Sequence, residues 1–365
     1  MQASAIETSV PEMPLIGLRR ALWKNRALIG LTLGYTVVGF VSAALLGQTE
    51  YFLQSFAPVP LVLGLVGTAV LVWLGYFFRL AVMERVPHAA AQAWKDTVGL
   101  INDGERFSDI VVTTLTLCLA GSVFFAFKIL IPFFHPFDLD PLFAQIDRVL
   151  HFGVDPWRIT HGLISSAWLT LAINGAYQLW FFVIWVFVML NMFTVPSAED
   201  RMRFFISVVA VLAVLGSLGA TLLSSAGPVY FGAVTGLDDP FIPLMERLGA
   251  MDQELRASGL GVKMWALDLH RWLWEVYQAK QPAFGTGISA MPSMHVAITT
   301  LFALSAWKMR PLIRWGAIAY VGVIMIGSVQ LAWHYAIDGY VSLAVTVLIW
   351  FAVKPVARWA VREEE

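Results

Sequence analysis

The sequence predicts an all-α integral membrane protein of about eight transmembrane helices. Only 13% of its residues are charged and 58% are hydrophobic, whereas soluble domains carry roughly 25% charged residues. Its apolar runs reach the roughly 20 residues that a helix needs to cross a bilayer. The third observation is that Lys and Arg cluster in alternate loops, as the positive-inside rule requires of a multi-span chain.

The eight spans are placed at 27–47, 59–82, 109–133, 166–194, 204–226, 292–308, 314–332 and 335–353. The first fourteen residues have no positively charged stretch followed by an apolar core, so no cleavable signal is expected there. Residues 1–26 are expected to form a polar tail, mobile over its first fourteen residues. Residues 83–106 read as an amphipathic segment lying on the membrane face between spans two and three. The fourth run is long, so its start near Thr160 and His161 is expected at the interface or as a re-entrant stretch, over 157–170. With eight spans, Arg19, Arg20, Lys24 and Arg26, then Arg85, Lys95 and Arg106, then Arg201 and Arg203, then Lys308, Arg310 and Arg314, and finally Lys354, Arg358 and Arg362 all fall on one side. Both termini, including the tail 354–365, are therefore expected in the cytoplasm. Two longer loops, 134–160 and 227–291, then face the exoplasmic side (the periplasm, in a bacterial inner membrane). The first carries Asp138, Asp140, Asp147 and Asp155, which marks a folded polar structure. The stretch 249–281 reads as an exoplasmic amphipathic helix interrupted at its glycines, with Trp265, Trp272, Trp274 and Tyr277 at headgroup level. The span at 107–353 with its two loops is thus one membrane domain, preceded by the two-span unit 27–106.

The net charge is −1, and no basic stripe suggests a nucleic-acid partner. The single cysteine, Cys118, excludes an intramolecular disulfide and a cysteine-based metal site. His151, His161 and His270 have no metal-ligand spacing between them.

Chemistry is expected from two stretches near the C-terminus. In "HYAID", His334 and Asp338 are four apart at the start of the last span and share one helical face. A carboxylate so placed accepts the imidazole Nδ1–H, fixes the tautomer and leaves Nε2 free as a base or nucleophile. In "GTGISAMPSMHVAITT", His295 stands where a Gly- and Ser-rich approach becomes a helix. One helix down and one back separate it from His334, so both rings are expected at the same exoplasmic level. Gly285, Gly287, Ser289 and Ser293 precede or open the helix, with Pro292 near its first turn. Free N–H groups at such a terminus bind phosphate. An anion held there lies between two imidazoles, one able to attack phosphorus and the other to protonate the leaving oxygen, with no cofactor or metal required.

"AMPSMH" together with "HYAID" resembles the second and third signature motifs of the type 2 phosphatidic acid phosphatase superfamily. The form "PSMH…HYxxDG", the spacing of the two histidines and the extra N-terminal spans are most similar to its inositol phosphorylceramide synthase (inositolphosphotransferase) branch. The resemblance implies a phosphatase-like bundle made by the last six spans. It implies that His334 forms a phosphohistidine, that Asp338 orients it, and that His295 serves the leaving and entering alcohols. A phospholipid donor and a lipid or polyol alcohol acceptor would be the partners, in the lipid bilayer. Two departures stand out. Lys128 is followed after six residues by His135-Pro136, where the family's first motif has Arg-Pro, and Ser328 stands where the third motif has an arginine. Lys128, His135, Arg148 and Arg158, with Ser293 and Gly287, are the candidates left to hold substrate phosphate. Tyr230, in the Gly-Pro turn behind the fifth span, is the candidate substrate contact. Lys128 alternatively snorkels to water, and Arg148 and Arg158 alternatively pair with Asp147 or Asp155. Hydrolysis with the same residues competes with transfer. A transporter or inert lipid-binding scaffold is the other class, but neither inverted repeats nor paired broken helices support transport.

Overall fold

The computed structural model describes residues 13–362. Most of the predicted polar stretch at the N-terminus, residues 1–12, and the last three residues lie outside the described residues. Among the described residues, six helices are long and apolar enough to cross a membrane: Arg26–Leu45, Thr49–Met83, Gly104–Lys128, Ala198–Leu222, Pro311–Gln330 and Ala336–Ala360. The pair Ala167–Gln178 and Trp180–Thr194, bent by 47°, makes a seventh when taken as one span.

The stretch expected at 292–308 is helical but short. Met294–Ser305 has 12 residues and continues only into the 3₁₀ turn Ala306–Lys308. The chain that leads into it, 285–293, is irregular and mostly buried. Backbone without helical hydrogen bonds is tolerated at membrane depth only where protein surrounds it. Here the neighbouring strands of chain supply partners. The Ala290 N–H donates to the Ser225 carbonyl at 2.9 Å, and the Met291 N–H donates to Ser225 Oγ at 3.2 Å. The short helix is mostly apolar, and Val296, Ala297, Ile298, Leu301 and Phe302 are fully buried, as expected of a central helix. It packs against Ala198–Ala213, Pro311–Gln330 and Ala336–Ala360.

The N-terminal part differs from a plain tail. Met13–Lys24 is a helix lying against Gly104–Lys128, and Arg20 and Lys24 both pair with Glu105. The amphipathic segment contains the helix Ala89–Asn102, and the third span begins earlier than hydropathy suggested because Asp103 caps it, accepting from the Arg106 N–H. The stretch 249–281 is split into Ile242–Ala257 and Trp265–Ala279, with Gly259 and Gly261 at positive φ between them.

The loop 134–160 is built, and it holds the rest in register. It contains the helices Asp140–Leu150 and Pro156–Leu163. The first carries Asp140 and Asp147 on one buried face, seven residues or two turns apart. Asp140 accepts from the Ala226 and Gly227 N–H groups at 2.9 and 2.8 Å and from the Tyr335 hydroxyl at 2.8 Å. Asp147 accepts from the Ala336 and Ile337 N–H groups at 2.7 and 2.9 Å. The last helix is thus capped by a residue from another element, satisfying two N–H groups that no helix can satisfy for itself. Burial raises the pKa of both carboxyl groups, and the N–H groups they accept from offset part of that cost. Asp147→Ala leaves those two buried donors unpaired, so a loss of about 2 kcal/mol is expected, read as a lower melting temperature in detergent. Asp147→Asn keeps one acceptor oxygen and should lose less; equal melting of both variants and the parent would refute the cap.

Candidate active site

The Ala336–Ala360 helix places Asp338 at its third position, and His334 stands just outside it, in the turn after Pro311–Gln330. Asp338 Oδ2 accepts from the Tyr335 N–H at 3.1 Å and lies 3.2 Å from His334 Nδ1. The expected pairing is therefore made, but by helix-end geometry. The same carboxylate oxygen that caps the helix receives the imidazole, so the pair does not sit on successive turns of one face. Asp338 is fully buried and His334 nearly so. The His334 N–H of the backbone donates to the Ser328 carbonyl at 3.1 Å, which closes the turn. Burial pulls the His334 imidazole down to about 3, and the positive charge of Lys128 acts in the same direction. The ring is consequently neutral at physiological pH, the state a nitrogen nucleophile needs.

His295 is the second residue of Met294–Ser305, and its ring centroid lies 6.5 Å from that of His334. Ser293 caps this helix, its hydroxyl accepting from the Val296 N–H, while its own N–H donates to the Asp338 carbonyl at 3.4 Å. That bond ties the starts of the two motif helices directly to each other. Three aromatic rings surround His295. Tyr177 stacks on it at 4.3 Å, Trp180 tilts against it at 4.4 Å and Phe181 meets it edge-on at 5.9 Å. All three flank the break between Ala167–Gln178 and Trp180–Thr194 and, spaced i, i+3 and i+4, share the face that lies against the imidazole. The Tyr177 hydroxyl and the Trp180 indole N–H are buried without hydrogen-bond partners among the described residues.

Lys128 is the last residue of Gly104–Lys128, and no side chain among the described residues pairs with it. Its charge acts on both imidazoles. Gly287 is pressed against it: a Cβ there would lie 2.9 Å from Lys128 Cγ and 3.0 Å from its carbonyl carbon. Behind the site, the chain 224–227 runs between the two motifs. Gly227, at φ +96°, fits because a Cβ would lie 2.7 Å from the Trp333 carbonyl oxygen.

The remaining candidates are placed otherwise engaged. His135 Nε2 lies 3.6 Å from Asp138 Oδ1. Arg148 makes two hydrogen bonds to Asp155, at 2.8 and 3.2 Å, and Arg158 reaches the same carboxylate at 3.3 Å. The Tyr230 hydroxyl donates to the His270 carbonyl at 2.8 Å, its ring stacked on Trp274. Ser328 directs its hydroxyl to the Ile324 carbonyl at 2.8 Å. His161 faces the Gln330 carbonyl, His151 the Tyr340 hydroxyl, and His270 packs on Trp333, so these three rings do not converge. The Trp180 and Phe181 enclosure and the Asp140 and Asp147 clamp were not foreseen as site elements. The four aspartates of one short loop were the available signal for the clamp.

A buried histidine and a half-buried one face each other, a carboxylate backs the buried one, and a lysine unpaired among the described residues lies beside both. A family model described as the PAP2 superfamily matches residues 141–352. The chain belongs to the PAP2 superfamily. The matched stretch contains both histidine motifs and the Asp140–Leu150 helix from its second residue onward, and it begins after Lys128 and His135. Comparison with curated proteins found no match, and neither did comparison with solved structures. PAP2 membership supports a phosphatase or phosphotransferase chemistry on lipid phosphates. Gly287→Ala is expected to displace Lys128 at a cost of about 1–3 kcal/mol and to slow phospholipid turnover. A variant that melts and turns over like the parent would show that the lysine does not depend on this contact.

Proposed function

We propose that the protein is a membrane-embedded lipid phosphotransferase. It moves a phosphorylated headgroup from a phospholipid donor to a lipid or polyol alcohol, in the manner of the inositolphosphotransferase branch. In the first half-reaction His334 Nε2 attacks phosphorus, the N–P bond forms, and the P–O bond to the donor alcohol breaks. His295 gives that alcohol its proton. In the second half-reaction His295 takes the proton of the acceptor hydroxyl, the new O–P bond forms and the N–P bond breaks. Asp338 holds Nδ1 of His334 so that Nε2 carries the lone pair. The positive-inside reading places these events on the exoplasmic face.

The observation that carries transfer over hydrolysis is the enclosure of His295 by Tyr177, Trp180 and Phe181. An apolar aromatic wall around the acid/base disfavours water and admits the apolar flank of an alcohol. The sparse positive charge points the same way. A phosphodiester carries one negative charge at neutral pH and a monoester nearly two, and Lys128 is the one unpaired cation beside the histidines among the described residues. Family membership keeps hydrolysis of a lipid phosphate or polyprenyl diphosphate as the second reading.

The deciding assay gives purified protein a headgroup-labelled phospholipid with and without ceramide or diacylglycerol, beside a His334→Ala control. Label is expected in the acceptor lipid, and an undiminished rate in the control would sink the mechanism. Free phospho-headgroup released at the same rate without acceptor would favour the hydrolase. The pH profile is a separate check. Only neutral His334 attacks, and burial lowers its pKa, so falling pH protonates it later than an ordinary imidazole. The acid limb of kcat/KM, which reports free-enzyme groups, is expected well below pH 6.5; a limb at the ordinary histidine value would contradict a desolvated nucleophile.

A further inference from the structure

One cavity touches the histidine site from the side. It has a volume of about 280 Å³ and lies between the Thr49–Ser55 helix, the turn after Lys128, and the chain 276–288. Ile129, Phe133, Val276 and Ile288 make its wall largely apolar; of its two lysines, Lys280 lies at the end of the Trp265–Ala279 helix and Lys128 stands beside Gly287, on the side of the histidines. The same lysine therefore belongs to the cavity and to the reaction site. An unpaired cation at the edge of an apolar chamber complements an amphiphile with an anionic head. The volume sits just under the roughly 300–1,000 Å³ of pockets that enclose whole drug-sized ligands. It suits the part of a phospholipid next to its phosphate, with the remaining chain leaving into the bilayer. Tyr51 closes the chamber: its hydroxyl donates to the Lys280 carbonyl at 3.0 Å, and its ring meets Phe133 at 5.9 Å. Tyr51, Lys128 and Phe133 all precede the stretch matched by the family model.

We propose that this chamber binds the apolar segment of an anionic phospholipid next to its phosphate, with the phosphate on Lys128 and with Tyr51 of the N-terminal unit as its wall. The proposal rests on the phosphotransferase reading for what happens to the lipid, while occupancy is measured without turnover. The N-terminal spans thereby take part in choosing the substrate.

The test is thiol protection in a His334→Ala background, where transfer is silent. Val276→Cys is introduced, with native Cys118 left in place because it is buried, and the purified protein in detergent is treated with a water-soluble maleimide. Dioleoyl phosphatidylinositol or dioleoyl phosphatidic acid is expected to slow labelling about tenfold at ten times its Kd. Dioleoylglycerol should not slow it, and Lys128→Gln should remove the protection. Ile129→Cys serves if the first variant fails to fold. Unchanged labelling with both phospholipids overturns the chamber, and equal protection by dioleoylglycerol overturns anchoring on Lys128. The absence of His334 keeps a failed phosphohistidine mechanism from affecting either result, whereas the transfer assay on the unaltered protein tests that mechanism alone.

Discussion

The Asp147 carboxylate on the N–H groups of Ala336 and Ile337 is the contact from which the site is built outward. It fixes where the last helix begins, and that beginning sets Tyr335 and Asp338. Asp338 in turn sets the ring of His334. Seven residues earlier on the same helix, Asp140 holds the Tyr335 hydroxyl and the 226–227 turn. Two buried carboxylates from one short helix therefore align a helix start, a glycine turn and the turn that carries His334. Their burial is a cost, and five N–H and O–H donors offset it, so the arrangement holds only when every partner is present.

A second constraint comes from backbone that is not helical. The chain 285–293 enters the bundle without a ladder of its own and takes its hydrogen bonds from Ser225 and Asp338. The helix Met294–Ser305 is correspondingly short, and its first turn opens beside the partner histidine. The break near Leu179 acts likewise. Tyr177, Trp180 and Phe181 flank it at i, i+3 and i+4, on one helical face, and across the 47° bend all three lie against His295. Both irregular stretches lie against the histidines, where protein rather than water supplies the backbone partners.

The electrostatics are economical. Arg148 and Arg158 are held by Asp155 and the motif position of an arginine is filled by Ser328, whose hydroxyl bonds within its own helix. Lys128 remains, steadied by Gly287 and shared between the histidines and the lateral chamber. A single cation in a desolvated site neutralises one negative charge and leaves a second one uncompensated, which ties the charge count to the kind of phosphate the site suits.

The sequence by itself determined the class of the fold, because apolar run length and charge placement act through the bilayer and need no tertiary partner. It also determined the residues of the pair: His295, His334 and Asp338 are close in motif, and one helix down and one back leave little choice of depth. Tertiary structure decided what depends on distant segments meeting. Asp338 reaches His334 through a helix cap rather than a shared face, because the helix starts two residues after the imidazole, where Asp147 meets it. The pairing of Arg148 and Arg158 with Asp155 is local and was one of the sequence's own alternatives. The short helix at Met294–Ser305, the aromatic wrap around His295 and the engagement of Tyr230, by contrast, were decided by the tertiary structure. Each depends on a hydrogen bond or ring contact between segments far apart in the chain, and hydropathy and local spacing carry no record of those.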